Sequence, residues 1–478
     1  MPKKALFSLA ATTALILAAT PATQAQSTPG SPAAEAAATS KSNEGRLRQL
    51  PAKTGCVADR SRKNKRCTKV RALKTPGPIK GSRAIAVSPD GKHVYVASQA
   101  SNAITVLNRN RKTGALKQSK QRHGCISLNG SSKCRSAVGL AGPNSLTITP
   151  DGRHLYVSSQ TAKSVTAFTR DKKTGRLTQL TPDGCWTTVP LDGCGAARGL
   201  VDPDVIITDP DGRHIYVGSF IGGSVATFDR DPKTGSLQQP SGSAACVAEG
   251  LPGCAPGRAL QGTEGLTTSR DGNTIYTASA ISNAIAILQR NVTGGLSQAD
   301  DSSGCMTNGP TTNCLTGRSL VKADALVTAP NGRDLYATTL GSKSISSFRM
   351  GPNSTLQQKP GIEGCLVNQG AANCRFGLKM SSPEGAVVSA DGRNVYVVSY
   401  KPGTIAVLDR DPRDGSLKQK AGNERCLAGD EVKGCIQARA LAGATTIANS
   451  PNGKHIYVTA SKSDAISVFK RIGAKRKQ

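Results

Sequence analysis

Four carboxylates fall at one position of a sequence repeat. An Asp-Gly or Asn-Gly turn recurs at Asp90, Asp151, Asp211, Asp271, Asn331, Asp391 and Asn452, and the residue seven before each is Arg83, Asn144, Asp204, Glu264, Asp324, Glu384 and Thr445. Every member of that set is polar, and four consecutive copies, Asp204 to Glu384, offer a carboxylate. Brought around one axis, such groups repel, so they must hold protons, pair with cations or bind a metal. Two chemistries follow. Glu264 and Glu384 can act as acid and base, with Arg83 steadying an oxyanion. Alternatively, the oxygens of Asp204, Glu264, Asp324 and Glu384 can hold Ca²⁺ or Mg²⁺, which would polarise a carbonyl or activate water. In either case Asn144, Asp204, Asp324 and Thr445 are candidate ligand-binding groups. A purely structural use competes with both: Arg71, Arg198, Arg258, Arg318 and Arg439 each lie four residues after the second Cys of a copy, and an Arg–carboxylate girdle would staple neighbouring copies with no ligand.

Other catalytic signatures are missing. There is no Gly-x-Ser-x-Gly elbow, phosphate loop or metalloprotease motif. His93, His154, His214 and His455 share one repeat position just after the turn, where they are expected as surface residues at a strand start, away from the carboxylates. His123, beside Cys125, has no counterpart in other copies.

The elements that position these residues follow from the repeat. "SPDGKHVYVAS" (88–98) recurs seven times at a spacing of 60 or 61 residues, a period of stacked units that cannot bury a core alone. In the copy from Pro203, "DVIITDPDG" is a strand entering an Asp-Gly turn, "HIYVGS" a strand apolar on both faces, "GSVATFDRD" a third strand before a "PKTG" turn, and "SLQQPSGSAAC" a fourth strand leading to a Cys pair. Four short antiparallel strands plus a loop of about 20 residues make a β-propeller blade with an insertion. The last copy stops after its third strand, whereas Gly45–Cys56, "GRLRQLPAKTGC", matches the fourth-strand segment Gly114–Cys125, "GALKQSKQRHGC". A ring explains this, since the N-terminal strand can complete the last sheet and remove free edges. The chain is therefore read as all-β, a closed seven-bladed propeller of four-stranded blades over residues 45–478. With aromatics at only 3%, its cores are expected to be built from Val, Ile, Leu and Ala.

Residues 1–25 have the basic start, apolar run and small-residue end of an export signal, and residues 26–44 read as a flexible linker. No stretch is long and apolar enough for a membrane span. The 14 cysteines fall as one pair per copy: Cys56/Cys67, Cys125/Cys134, Cys185/Cys194, Cys246/Cys254, Cys305/Cys314, Cys365/Cys374 and Cys426/Cys435. Either each pair closes its own loop or each second Cys reaches the next copy; short loops close more readily, which favours the first. Disulfides and an export signal together point to a secreted or periplasmic protein. The net charge of +31 is densest in "CVADRSRKNKRC" and "KRIGAKRKQ", both placed on blade seven by ring closure. Such a surface suits an anionic polymer or cell-surface component; without a reading motif or interleaved aromatics it does not indicate specific nucleic-acid recognition. A monomer is expected.

The repeated "SPDGKHVYVAS…NAITVLNRN…TGALKQ" resembles the seven-bladed lactonase family, which includes 6-phosphogluconolactonase-like proteins, and "HVYVAS" and "NVYVVS" resemble the YVTN-type repeats of surface proteins. The resemblance implies a propeller and, for its enzymes, hydrolysis of a small lactone with a sugar acid as product. Two functions are expected on these grounds: a binding module using the long-loop face or the basic blade, or a lactone hydrolase with Glu264, Glu384 and Arg83 at the channel mouth and Ca²⁺ or Mg²⁺ as a candidate cofactor. The disulfide-bearing insertions and the lack of a channel histidine weigh toward the first.

Overall fold

The computed structural model describes residues 44–63, 65–77, 84–352, 355–368, 373–429 and 432–473. The expected export signal, nearly all of the linker, Arg83 and the last five residues lie outside them. Seven antiparallel-based sheets are present, and the described residues contain no α-helix, only short 3-10 turns.

The third blade shows the plan. An inner strand (Pro203–Thr208) pairs with a second (His214–Ser219), which pairs with a third (Ser224–Arg230). The Asp-Gly turn between the first two places Gly212 at φ +72°, a left-handed conformation open to glycine, while the Asp211 carboxylate accepts the Arg213 amide at 3.0 Å. The second strand is buried along its whole length, as its two apolar faces require between neighbouring blades.

The fourth position is more elaborate than the single strand and loop expected. Leu237–Gln238 and Cys246–Ala248 both pair with the third strand, separated by the 3-10 turn Gly242–Ala245, and Ala255–Pro256 adds a short parallel strand beyond them. The same order recurs in every blade.

All seven Cys pairs close locally, as the shorter loops favour. The bridges are Cys56–Cys67, Cys125–Cys134, Cys185–Cys194, Cys246–Cys254, Cys305–Cys314, Cys365–Cys374 and Cys426–Cys435, across separations of 8 to 11 residues. None reaches the next copy. The first Cys of each pair opens a strand against the third strand. The second Cys does not sit in a plain loop: Cys67, Cys134, Cys194, Cys254, Cys314, Cys374 and Cys435 each stand directly before the short outermost parallel strand. Each bridge thus ties that two- or three-residue strand, too short to hold its place by hydrogen bonds alone, to the sheet behind it.

Ring closure is as expected. Leu47–Gln49 pairs with Phe469–Arg471, and Cys56–Ala58 with Ala465–Ser467, so the head of the propeller supplies the outer strands of the seventh blade. Leu47, 1% exposed, joins Tyr396, Val398, Ile456 and Phe469 in the core between blades six and seven. The cores lie between blades rather than within them, which is why one copy is not a folding unit. Aliphatic side chains dominate, but every second strand also buries a tyrosine, from Tyr95 to Tyr457, among the largest fully buried side chains.

Candidate functional site

The inner strands run with their first residues toward the face that carries the Cys loops, and there the ladder breaks. In blades two to seven the pairing register shifts at Asn144, Asp204, Glu264, Asp324, Glu384 and Thr445, so each candidate residue lies in or beside a β-bulge. A bulge turns a side chain out of the ladder's alternation, here at the end of the inner strands nearest the Cys loops, the expected channel mouth. Second-strand hydroxyls satisfy the displaced backbone: the Ala325 amide donates to Thr338 Oγ1 and the Thr446 amide to Thr459 Oγ1, both at 3.1 Å. All six residues are at most 5% exposed.

Their surroundings differ from blade to blade. Asn144 Nδ2 donates to Asp204 Oδ1 at 2.7 Å. Thr445 Oγ1 lies 3.0 Å from Thr459 Oγ1. Glu384 is poorly satisfied: Ser382 Oγ reaches Oε1 only at 3.5 Å, and Oε2 has no hydrogen-bond partner. Burial, and next the negative charge of Glu264 two blades away, push the Glu384 carboxyl up to about 9. Glu384 therefore holds a proton at neutral pH, close enough to Glu264 to feel its charge. Each of these glutamates is followed by a glycine that the packing needs: a Cβ on Gly265 would lie 2.3 Å from the Asp324 carbonyl oxygen, and one on Gly385 would lie 2.8 Å from that of Thr445. Glu-Gly at 264–265 and again at 384–385 was the sequence signal for this close approach of inner strands. Below the mouth, a channel of about 450 Å³ is walled by inner-strand residues such as Ile85, Leu146, Thr267, Val327, Val387 and Asn449.

The Arg–carboxylate girdle is not what the structure contains. Arg71 donates to the carbonyls of Lys120 and Gln121 at 3.0 and 2.8 Å, Arg258 to Ala299 at 2.7 Å, Arg318 to Lys359 at 3.1 Å and Arg439 to Ala52 at 2.8 Å. Arg198 reaches the Gly242 carbonyl at 3.4 Å. These arginines latch onto the segment in and just before the 3-10 turn that interrupts the next blade's fourth strand.

The histidines are not surface residues either. His93, His154 and His455 are at most 3% exposed, and each Nδ1 lies 2.7 to 2.9 Å from Nη2 of an arginine in the following blade: Arg170, Arg230 and Arg109. Burial first, then the guanidinium, lowers each ring to about 4. The rings are thus neutral at pH 7, with Nδ1 accepting from the arginine. His214 Nδ1 faces Asp209 Oδ2 at 2.6 Å as well as Arg290 Nη1 at 3.1 Å. These contacts belong to a belt the sequence reading missed. Arg170 Nε donates to Tyr95 Oη at 2.8 Å while Tyr95 Oη donates to the Gly175 carbonyl at 2.9 Å, and the Arg–Tyr bond recurs at four further seams. Its signal was present: a Tyr in every second strand and an Arg closing six of the seven third strands. His123 bonds only within its own loop, Nε2 lying 2.9 Å from Ser119 Oγ.

As for metals, the one set of three candidate ligands drawn within 4.8 Å among the described residues is Asp209, Asp211 and His214, at the opposite end of the blades. Arg290 Nη1 already lies 3.1 Å from both Asp209 Oδ2 and His214 Nδ1, where a cation would sit. The mouth carboxylates form no such set, although their oxygens suit a hard ion. No helix among the described residues is long and apolar enough to cross a membrane.

Comparison with solved structures finds several to which the chain is similar. The chain is similar to the periplasmic gluconolactonase PpgL of Pseudomonas aeruginosa (18% identity, 72% of this chain and 87% of that one, TM-score 0.48). It is also similar to a functionally unknown protein of Desulfotomaculum acetoxidans (14%, 81% and 94%, 0.51) and to hydrazine synthase of Kuenenia stuttgartiensis (14%, 84% and 98%, 0.48). Identities this low speak to the fold alone. No curated protein sequence matches. The family model described as "Lactonase, 7-bladed beta-propeller" matches residues 56–128, 131–185 and 187–477, which covers nearly all of the propeller. The chain belongs to the seven-bladed β-propeller lactonase family.

Proposed function

We propose that the channel mouth hydrolyses a small lactone, with Glu264 and Glu384 as its acid–base pair. The observation that carries this reading is the burial of the Glu384 carboxyl with Oε2 lacking a hydrogen-bond partner: burial and the charge of Glu264 push it up to about 9, which gives one proton donor beside one carboxylate at neutral pH. Glu264 takes a proton from water as the water oxygen bonds to the lactone carbonyl carbon. Glu384 gives its proton to the ring oxygen as the acyl C–O bond breaks, and the product is a hydroxy acid. Proton return from Glu264 to Glu384 resets the pair. The Asn144–Asp204 bond fixes one polar anchor for substrate hydroxyls, and Arg83, adjoining the mouth in sequence, is proposed to meet the oxyanion. A lactone panel assayed with and without EDTA, on the wild type, Glu264→Gln and Glu384→Gln, tests this. Hydrolysis lost in both variants and unaffected by chelation supports it; loss on chelation alone favours the metal-assisted version.

A second reading rests on a separate surface. The Cys56–Cys67 loop and its flank expose Arg60, Arg62, Lys63, Lys65, Arg66 and Lys69. Arg62 pairs with Asp464 at 2.6 Å. This loop is proposed to adsorb the protein to an anionic polymer; retention on a polyanion column that survives substitution of these side chains by Gln would refute it.

A further inference from the structure

The belt that joins the blades has one non-equivalent seam. At six seams the last residue of a third strand is an arginine reaching the preceding blade: Arg109, Arg170, Arg230, Arg290, Arg410 and Arg471. Its guanidinium has up to four kinds of partner, and all four at Arg170 and Arg230. Arg170 shows them all: Tyr95 Oη at 2.8 Å, His93 Nδ1 at 2.8 Å, the turn carboxylate of Asp90 at 2.8 Å and the carbonyl of Gly152, its own blade's turn glycine, at 2.8 Å. At the seam between blades four and five the residue is Met350. Its side chain is buried and packs with Leu335, Phe348 and Leu356 instead of spanning the seam.

The partners a guanidinium would use are nevertheless in place. Tyr276, Asp271 and Gly332 occupy the positions of Tyr95, Asp90 and Gly152, and Thr274 stands where the other copies have His, Asp or Asn. Together with Met350 they line a cavity of about 680 Å³. The Asp271 carboxylate accepts from Ser269 Oγ at 2.5 Å and the Asn273 amide at 3.1 Å, as Asp90 does from Ser88 and Lys92, and its other oxygen accepts from Asn273 Nδ2 at 3.0 Å. At the rim stands Arg270, exposed, its stem lying over Gly332 where five other copies have proline and the sixth has Ala390. We propose that this cavity binds a guanidinium compound in place of the missing arginine, with the guanidinium on Asp271, Tyr276 and the Gly332 carbonyl, and that a carboxylate on the ligand, as in free arginine, is received by Arg270.

A charge-assisted contact to a carboxylate supports recognition of this kind, and its loss corresponds to about tenfold or more in affinity. Isothermal titration of the full chain with L-arginine, methylguanidinium, a blocked glycyl-arginyl-glycine peptide and L-lysine as charge control tests the proposal. Saturable binding of arginine and methylguanidinium but not lysine is expected, weakened at least about tenfold in Asp271→Asn and abolished in Met350→Arg. Arginine binding more tightly than the peptide identifies the free compound as the source, and the reverse an arginine within a chain. Arg270→Ala removes the preference for arginine over methylguanidinium. No binding in the wild type, equal binding in Met350→Arg, or binding that emerges only in Arg270→Ala, which would mean that Arg270 fills its own cavity, each overturns the proposal.

Discussion

Replacing Glu384 by Gln should stabilise this protein while removing its activity. In the folded chain the carboxyl is raised from 4.5 to about 9, by burial first and by Glu264 second, so between those values the folded state keeps a proton that the unfolded state releases. Stability attributable to this group is therefore complete below pH 4.5 and falls as pH rises toward 9, at about 1.4 kcal/mol per pH unit. At pH 7 the cost has reached about 3 kcal/mol. Gln keeps the shape of the neutral acid and titrates nowhere, so Glu384→Gln should exceed the wild type by that order at pH 7, match it near pH 4.5 and exceed it further at pH 8.5. Urea unfolding at the three pH values measures the difference directly, and effects of other titrating groups cancel between two chains that differ at one residue. Lactone turnover, in the same preparations, should fall by about 10²–10⁴. A wild type and variant whose stabilities run parallel across this range would refute the protonation of Glu384, and the acid–base assignment with it.

Other expectations concern the frame. Arg170→Met leaves Asp90, His93 and the Tyr95 hydroxyl without their buried cation and should cost about 3–5 kcal/mol in denaturant unfolding; a loss under about 1 kcal/mol would show the belt to be decorative. Acidification from pH 6.5 to 4 should destabilise the fold, because the unfolded chain protonates His93, His154 and His455 while the folded chain keeps them neutral down to about 4; His93→Gln should flatten part of that slope in thermal melts. Gly265→Ala places a Cβ 2.3 Å from a neighbouring backbone oxygen and should cost about 1–3 kcal/mol with a loss of turnover larger than the loss of folded protein explains. Replacing Cys185 and Cys194 by Ser opens one nine-residue separation and should lower stability by about 2–3 kcal/mol, with circular dichroism of the folded state unchanged.

What was legible in the residues was whatever depends on local chemistry repeated at a fixed interval. The Asp-Gly turns, the twice-apolar second strands, the missing fourth strand at one end and its appearance at the other all follow from backbone geometry and burial, and the seven short Cys loops closed as loop entropy favours. The mouth set was found for the same reason, since a position counted from the turn lands on one level of every inner strand. What escaped were the short outermost strands, which two or three residues cannot announce, and the contacts between copies. Arg71 and its equivalents sit on the same face as the carboxylates, yet they point outward to a 3-10 turn that no periodicity reveals. The histidines follow a turn, which suggests solvent, but the guanidinium that covers His93 or His154 comes from a residue 77 or 76 positions away. Burial of that kind is a property of the assembled ring.

Seven copies in one chain also serve as an internal comparison, and it separates support from function on physical grounds. Positions with one job in every seam converge on one residue: tyrosine in all seven second strands, arginine at six of seven third-strand ends. The mouth position does the opposite, running through Arg83, Asn144, Asp204, Glu264, Asp324, Glu384 and Thr445, even though the bulge that presents it recurs from blade two to blade seven. A staple needs the same side chain each time, whereas a pocket on the axis presents a ligand with different atoms from each direction and needs different groups in reply. By the same logic Met350 is informative because it breaks uniformity where uniformity is the rule, while the acceptors around it persist. In a ring held together by closely repeated contacts, the mouth and the Met350 seam depart from that repetition, and those are the two places proposed to take ligands.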